Sequence, residues 1–312
     1  MTIYIISSKK KTGGTLCLHQ LGLCLSDFGH EVIFDYRDSS CTHSIYFDFK
    51  ISSVKDTSEN IVVIPEIYSS LARDFKSVKV FIWWLSVDNF FRYKKESIFI
   101  DFIKSHSSLF LGKRSSLKSL RKYNHLTQSH YAKIFLNNHS ISSVMLSDYL
   151  DDKFLTYDNA KIGISNRRNI ILYNPSKGIK ITKKIISYFS NLNFVPLVGL
   201  TPSQLLNLMC SSKLYIDFGH HPGKDRMPRE AVILGCCLIT GFSGSACNSY
   251  DIPVSRFKLD PDNKDFYSNL NLLISDIFNN FDSVSLEFND YRKIIANEKI
   301  TFQKQVAEIF NE

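Results

Sequence analysis

Glycine and proline are scarce in this chain, 13 and 8 of 312 residues. That scarcity excludes collagen-like and linker-dominated architectures, and neither an internal repeat nor a low-complexity tract is present. The three-glycine dinucleotide turn is missing as well, because Thr12-Gly13-Gly14-Thr15 offers only a pair, which disfavours classical nicotinamide binding. Seven cysteines at 17, 24, 41, 210, 236, 237 and 247 show neither paired metal-ligand spacing nor a dense bridge framework, so reduced, mostly buried thiols are expected. His220 and His221 lack the further His or carboxylate spacing that would complete a metal site, and no metal is expected. Gly241-Phe242-Ser243-Gly244-Ser245 lacks the closing glycine of a nucleophile elbow and reads instead as a loop near a ligand. No apolar run reaches the length of a membrane span. The opening MTIYIISSKKK puts its lysines behind a short apolar run, the reverse of a secretory signal. A cytoplasmic protein, or one at the inner face of the plasma membrane, is the expectation.

Turning to what is present, a hydrophobic fraction of 44% over this length allows two domains with separate cores. The net charge of +8 is unevenly placed: residues 92–133 hold ten Lys or Arg against Glu96 and Asp101. Phe90, Phe91, Tyr93, Phe99, Phe102 and Phe110 are interleaved with that charge. Such a surface suits peripheral association with anionic lipid or a lipid diphosphate; core aromatics beneath an ordinary solvated face account for it equally well. No recognised motif accompanies the charge, and nucleic acid is not expected as a partner.

The hydropathy pattern predicts an α/β protein. Ile3–Ser7 reads as a strand, Lys9–Thr15 as a loop, Leu16–Phe28 as a helix closed by Gly29, and Glu31–Tyr36 as a strand, a βαβ opening. Further strands are predicted at Ser44–Phe47, Ile61–Pro65, Val78–Leu85, Ser108–Leu111, His125–Gln128 and Ser143–Leu146, giving a mainly parallel sheet. A second series follows: strands at Asn169–Tyr173, Phe194–Leu197 and Leu214–Phe218 alternate with helices at Ile179–Asn191 and Pro202–Cys210. Ile252–Phe257 is predicted as strand and loop, and helices follow at Asp265–Phe281 and Ser285–Asn311. The predicted division is residues 1–150, a linker at 151–168, a second domain at 169–285 and a terminal helix at 286–312.

The densest chemistry lies between Tyr215 and Gly244, YIDFGHHPGKDRMPREAVILGCCLITGFSG. A strand is followed by a loop, Gly219–Met227, that carries His220, His221, Gly223, Lys224 and Arg226. Pro228 fits the first turn of a helix over Arg229–Leu234 that stops at Gly235, and Cys236–Thr240 is an apolar strand. Cations beside a helix N-terminus suit a phosphate, since its free N–H groups and dipole add to Lys and Arg. Glu230, one turn in, could take sugar or ribose hydroxyls. Asn174-Pro175-Ser176-Lys177-Gly178 follows another strand and offers a second cation, Lys177, with Gly178; a surface lysine preceding a helix is the plainer alternative. In the first half, Gly13, Gly14 and Thr15 open a helix where backbone could approach a ligand closely. Trp83-Trp84-Leu85-Ser86-Val87-Asp88-Asn89 ends a strand at the edge where open α/β sheets form clefts. For the two tryptophans burial is expected rather than carbohydrate stacking. Pro65-Glu66 is a weaker cleft position, its glutamate serving equally as a helix cap.

The Glu230-Ala231 pair, three residues and Gly235, followed by an apolar strand, resembles the donor-site signature of retaining glycosyltransferases with two Rossmann-like domains. The likeness is strongest to family-four-like enzymes of bacterial surface-polysaccharide synthesis. Lys177-Gly178 resembles the family's lysine-glycine pair, and Gly13-Gly14 with Gly29-His30-Glu31-Val32 looks like its opening. The resemblance implies a GT-B fold, two Rossmann-like domains facing across a cleft, with the C-terminal helix crossing back to domain one. It implies hexosyl transfer from a nucleotide sugar, with retention, to a glycan or lipid-linked acceptor in O-antigen, capsule or similar synthesis, with no cofactor. It places Lys177, Lys224 and Arg226 on the diphosphate, Glu230 on ribose or sugar hydroxyls, and Asn174, Gly178, His220, His221, Gly223, Ser243 and Gly244 around the donor. Gly13, Gly14, Thr15, Ser86, Asp88 and Asn89 are assigned to the acceptor side. Two departures stand out. Pro222 occupies the place of the family's first acidic residue, with His220, Lys224 or Asp225 nearby, and no histidine follows Trp84, leaving Ser86, Asp88 or Asn89 there. A nucleotide-sugar epimerase or a non-catalytic sugar-nucleotide-binding protein remains an alternative.

Overall fold

The computed structural model describes residues 1–37, 46–91, 116–156 and 167–311. The predicted strand at Ser108–Leu111, the first two residues of Ser44–Phe47, most of the predicted linker and the stretch 92–115 of the basic region lie outside the described residues. Two compact units divide the chain. One takes Met1–Asp148, Pro222–Lys224 and Ile300–Glu312, the other Tyr149–His221 and Asp225–Lys299.

The first unit is built on seven parallel strands, β1 (Thr2–Ser7), β2 (Glu31–Tyr36), β3 (Lys50–Ile51), β4 (Ile61–Pro65), β5 (Lys79–Trp84), β6 (Asn124–Thr127) and β7 (Val144–Met145), in the order β3-β2-β1-β4-β5-β6-β7. Ile3 to Ile6 and all of β4 are buried, as continuous apolar runs covered on both faces must be. The helices of this unit before its last segment are α1 (Gly13–Asp27), α2 (Val87–Phe91), α3 (Leu117–Leu120) and α4 (His130–Asn138), among the described residues. Helix α1 starts at a reciprocal cap in which Thr12 and Thr15 each bond the other's backbone N–H. Gly29, at φ +87°, lets the chain leave the helix. The fully buried Trp83 and Trp84 point to opposite faces of β5 and satisfy their indole N–H groups on the Leu146 carbonyl at 2.9 Å and His125 Nδ1 at 3.0 Å.

The predicted strand at Ser44–Phe47 is not observed in its described part. Tyr46 and Phe47 turn their rings toward His19, and β3 forms instead at Lys50–Ile51. The aromatic content that read as β propensity is used in side-chain packing.

The second unit carries α5 (Asp152–Leu155) and four parallel strands, β8 (Arg168–Tyr173), β9 (Asn193–Pro196), β10 (Ser212–Asp217) and β11 (Cys237–Thr240), ordered β11-β10-β8-β9. Connecting them are α6 (Ile179–Tyr188), α7 (Pro202–Ser211) and α8 (Arg226–Ile233). Thr201 and Gln204 cap α7 reciprocally, with Pro202 in its first turn. Ile252–Phe257 does not form a strand: Pro253 has no N–H to give a ladder, and the segment ends in a 3-10 turn, Ser255–Phe257, with only a bridge from Thr240 to Lys258.

The chain ends in α9 (Phe266–Asn279), α10 (Phe281–Leu286), α11 (Asn289–Ala296) and α12 (Glu298–Phe310), so the single helix predicted at Ser285–Asn311 is three. The last residues are part of the first unit, where Phe310 meets Phe81 at 5.4 Å and Asn311 bonds His30 at 2.8 Å. No helix among the described residues is long and apolar enough to cross a membrane, and the six described cysteines are free thiols.

Glu66 opens the 3-10 helix Glu66–Asp74 and is buried, its carboxyl accepting the Leu85 N–H at 3.0 Å. Burial pushes its pKa up to about 8 against the pull of backbone N–H groups, so the folded protein holds a proton that the unfolded chain releases above its ordinary value of 4.5. Stability must then fall as pH rises from that value through 8. Glu66→Gln keeps the acceptor and removes the ionisation. Urea unfolding should show the variant more stable than wild type by roughly 1–3 kcal/mol at pH 9, with the difference vanishing near pH 5.

Candidate functional site

In the four-stranded sheet the chain runs from β8 outward to β9, then returns to the other side of β8 for β10. The loops that follow β8 and β10 therefore start side by side at the carboxyl edge, at the point of reversal where open α/β sheets bind ligands. Asn174, Lys177 and Gly178 stand on the first of these loops, and His220, His221 and Asp225 on the second.

The two loops touch through glycines. Gly178 is left-handed at φ +59°, and a Cβ there would lie 2.6 Å from the Gly219 nitrogen. A Cβ on Gly219 would in turn meet Lys177 Cβ at 2.7 Å and Asp217 Oδ1 at 2.9 Å. Asn174 Oδ1 accepts the Ser176 N–H at 2.9 Å and shapes the turn that presents Lys177. A third loop, after β11, joins them: the His221 N–H donates to Ser243 O at 3.2 Å, Ser245 N–H returns to His221 O at 2.8 Å, and His220 Nδ1 meets Ser243 Oγ at 2.7 Å. Gly244, at φ +70°, is required there because a Cβ would stand 2.0 Å from the His221 carbonyl oxygen.

Charge at this edge is ordered in series. The Lys177 ammonium bonds the Asp225 carboxylate, whose same oxygen lies 3.3 Å from His221 Nδ1. His221 Nε2 lies 3.4 Å from Asp217 Oδ1, and Asp217 also accepts Gly219 N–H at 2.9 Å and the Tyr215 hydroxyl at 3.0 Å. Burial lowers the affinity of His221 for a proton, but the two aspartates outweigh it and hold its pKa above the ordinary histidine value. Burial likewise pushes Asp217 up, and His221 with Gly219 reverses that to below the usual aspartate value.

Helix α8 begins two residues earlier than the sequence predicts, so Arg226 and Met227 are helical and Pro228 lies in the first turn. The missing N–H of Pro228 is tolerated there. Asp225 stands at the N-cap without bonding the helix, its side chain being turned to Lys177 and His221. Arg226 is half-buried and contacts Asp151 at 3.1 Å, the Tyr149 carbonyl at 3.3 Å and Glu230 at 3.4 Å. Burial raises the Glu230 pKa, moderated by Arg226 and Arg229, so its carboxyl is a stronger base than an exposed one. Arg229, fully buried and paired with Glu298 at 2.6 Å, is structural.

Gly223 and Lys224, between His221 and Asp225 in the chain, belong to the first unit. A Cβ on Gly223 would stand 2.3 Å from the Leu85 carbonyl oxygen, so its glycine is required by packing. The Lys224 ammonium bonds Ser147 Oγ at 2.7 Å and lies 3.7 Å from the buried Asp148 carboxylate. Pro222, at the place of the resembled family's acidic residue, accepts the Val87 N–H with its carbonyl at 3.1 Å.

On the first unit, Gly13 and Gly14 begin α1 at the carboxyl end of β1, beside the point where the order reverses between β1 and β4. The nearest atom to a Gly14 Cβ would be Leu85 Cδ1 at 3.6 Å, an ordinary contact, so packing does not demand that glycine. The Thr15 hydroxyl is taken up by the helix cap and the Lys10 carbonyl. Ser86 is buried and its hydroxyl accepts the Asn89 N–H at 3.3 Å, capping α2 (Val87–Phe91), while Asp88 is half-buried and Asn89 exposed. Phe90 is buried against Trp84, and the half-buried Phe91 packs against Phe135 at the edge of the same core.

No family model matches the chain, and no curated protein matches it in sequence. Solved structures do match over its whole length. HepE of Anabaena in complex with UDP-glucose superposes with a TM-score of 0.64 at 11% identity, covering 100% of this chain and 99% of that one. Sucrose-phosphate synthase from Thermosynechococcus elongatus gives 0.61 at 12% identity over 99% and 94%. WaaG, a glycosyltransferase involved in lipopolysaccharide biosynthesis, gives 0.60 at 11% identity over 100% of each. The fold is GT-B. At such identities the likeness carries architecture, and the GT-B frame accounts for the two parallel sheets and the terminal helix whose last residues join the first unit.

Asp217 and Asp225 are the residues that sequence reasoning underused. Their signal was the spacing Asp217, His221, Asp225, an imidazole flanked four residues away on each side by a carboxylate. Gly178→Ala should destabilise the protein by about 1–3 kcal/mol, since it adds a backbone clash to left-handed strain. Gly199→Ala, at φ +68° with nothing near its Cβ, should cost about 1 kcal/mol. Thermal melts of the two variants measure the difference.

Proposed function

We propose that this GT-B protein is a glycosyltransferase that moves a hexosyl group from a nucleoside diphosphate sugar to a glycan or lipid-linked acceptor, in the synthesis of a surface polysaccharide. The observation that carries the reading is the convergence of Lys177, Asp225, His221 and the N-terminus of α8 at the strand-order reversal of the four-stranded sheet. A diphosphate is the ligand this chemistry suits: a half-buried ammonium, an uncapped helix start and glycine-lined turns. HepE, solved with UDP-glucose, supports a nucleotide sugar as the donor.

Lys177 and Arg226 are assigned to the diphosphate and Glu230 to ribose or sugar hydroxyls. Asn174, Gly178, His220, His221, Ser243 and Gly244 shape the donor loops. Lys224, on the same stretch of chain as Arg226 and bonded through its ammonium to Ser147, is assigned to the diphosphate with Lys177 and Arg226. Gly13, Gly14, Asp88 and Asn89 on the first unit are assigned to the acceptor. In the reaction the bond from the anomeric carbon to the diphosphate oxygen breaks and one to the acceptor oxygen forms. The acceptor's proton passes to the leaving diphosphate, and with attack on the leaving-group side the configuration is retained. Negative charge on the diphosphate grows toward the transition state, where a fixed cation contributes most. Association with an anionic membrane would rest on the basic stretch 92–133.

Incubation with a panel of nucleotide sugars and bacterial lipid extract tests the reading. Transfer releases free nucleotide and an extended acceptor; an altered hexose alone would indicate an epimerase, and binding without turnover a sugar-nucleotide-binding protein. Lys177→Ala and Glu230→Ala should each lower kcat/KM by about 10- to 1000-fold with melting temperature nearly unchanged. Near-normal rates for both would remove the site assignment.

A further inference from the structure

His221 is the group at this edge that the reaction above leaves without a task. Its side chain is fully buried, and its two ring nitrogens stand 3.4 Å from Asp217 and 3.3 Å from Asp225, near enough for ion pairing but aligned with neither as a hydrogen bond. The backbone on both sides of the ring is fixed by Ser243 and Ser245. A neutral imidazole has one N–H, so it can satisfy only one of two flanking carboxylates, whereas an imidazolium has two.

We propose that His221 is a positioning residue of the donor site, whose bound proton cancels the surplus negative charge of Asp217 and Asp225 and so leaves the Lys177 ammonium able to attract a diphosphate. The proposal rests on the donor-site reading given above. The charged groups facing the ring are Asp217 at the end of β10, Asp225 before α8 and Lys177 after β8; Tyr215 reaches the cluster through Asp217. With the proton on, two carboxylates, one imidazolium and one ammonium sum to zero. With the proton off, the cluster carries a net negative charge beside the place where a doubly negative ligand must dock. At separations of 3 to 4 Å in a half-buried site such a charge is not screened away. The direction of the His221 shift, upward despite burial, agrees with a proton retained near neutrality.

By linkage, donor affinity is fully present while His221 is charged and declines as pH rises through its pKa. A nucleoside diphosphate sugar is the right probe because its esterified phosphates do not titrate in this range. The experiment measures binding of UDP-glucose, GDP-mannose and dTDP-glucose by calorimetry between pH 6 and 9, together with the NMR titration of the His221 ring in the ligand-free protein. The tightest of these ligands should weaken about tenfold across the range, and the ring should titrate above the ordinary histidine value. His221→Gln should bind about tenfold more weakly at pH 6 and vary less than about twofold with pH. Asp217→Asn keeps the imidazole but removes one carboxylate, and should move the midpoint of the affinity loss down by about one pH unit. A purely structural role for His221 would not move that midpoint. Affinity that ignores pH in wild type, or a ring that titrates below its ordinary value, overturns the inference and leaves the donor site standing. Failure of all three ligands to bind wild type at any pH overturns the donor-site reading and this inference with it.

Discussion

The contact between Gly178 and Gly219 is the constraint on which the rest of the second unit's loop edge depends. Two backbones that approach until a single methyl would touch a nitrogen at 2.6 Å can do so only if both residues lack a side chain. Once that approach is fixed, Lys177 is held beside the loop that carries Asp225, and the ammonium finds its carboxylate. The third loop adds to the same arrangement through Gly244, whose left-handed turn lets the His221 backbone pair with Ser243 and Ser245. Three strand ends thereby share one hydrogen-bonded edge, and the side chains on it are positioned by backbone rather than by their own length. Preorganisation of this kind suits a site that must stabilise charge developing on a bound phosphate.

Much of this architecture was legible in the sequence, and the reasons differ by element. Strands β1, β4, β5, β8 and β10 lie buried in parallel sheets, so uninterrupted β-branched and aromatic runs marked them within a residue or two. The predicted range Pro202–Cys210 matches α7 to one residue, whereas α1 begins at Gly13, three residues before the predicted Leu16, because its cap pairs Thr12 with Thr15 in place of the usual Glu or Gln. The carboxyl-terminal helices were harder, because Val284, Phe288, Tyr291 and Ile295 keep helical spacing across the break between α10 and α11. Periodicity records which face is buried and is silent about a turn that leaves the face intact. Pro228 misled in another way: proline is tolerated anywhere in the first turn, so it fixed the helix start only to within that turn.

The loops after β8 and β10 were legible as composition but not as partnership. Cations, glycines and a helix start in succession pointed to an anion, and those residues do stand on neighbouring loops. Which cation faces which carboxylate depends on loop geometry that no spacing rule encodes. Lys224 and Arg226, two positions apart, illustrate this: the first is bonded to Ser147 within the seven-stranded unit, the second to Asp151 within the four-stranded one. A reading from sequence has their type and proximity, and these partners are not encoded in either.

Buried charge separates scaffold from function in the second unit. Arg229 and Glu298 form a paired, fully buried bridge whose role is complete within the protein: it ties the start of α8 to the start of α12. Such a pair gains little over well-packed apolar residues, because desolvation offsets most of the attraction. Arg167 is similarly self-contained, its guanidinium bonded to the carbonyls of Met209, Ser212 and Leu234 at the ends of elements. The series from Asp217 to Lys177 differs from both. Its interior member is buried with neither nitrogen in a hydrogen bond, and its outer member is partly open to solvent, so the charges are neither fully satisfied nor fully enclosed. An arrangement that costs desolvation at one end and leaves a cation accessible at the other has no advantage as scaffold over an apolar core. The proposed donor diphosphate would meet the open side of Lys177, and its negative charge would favour the protonated form of His221.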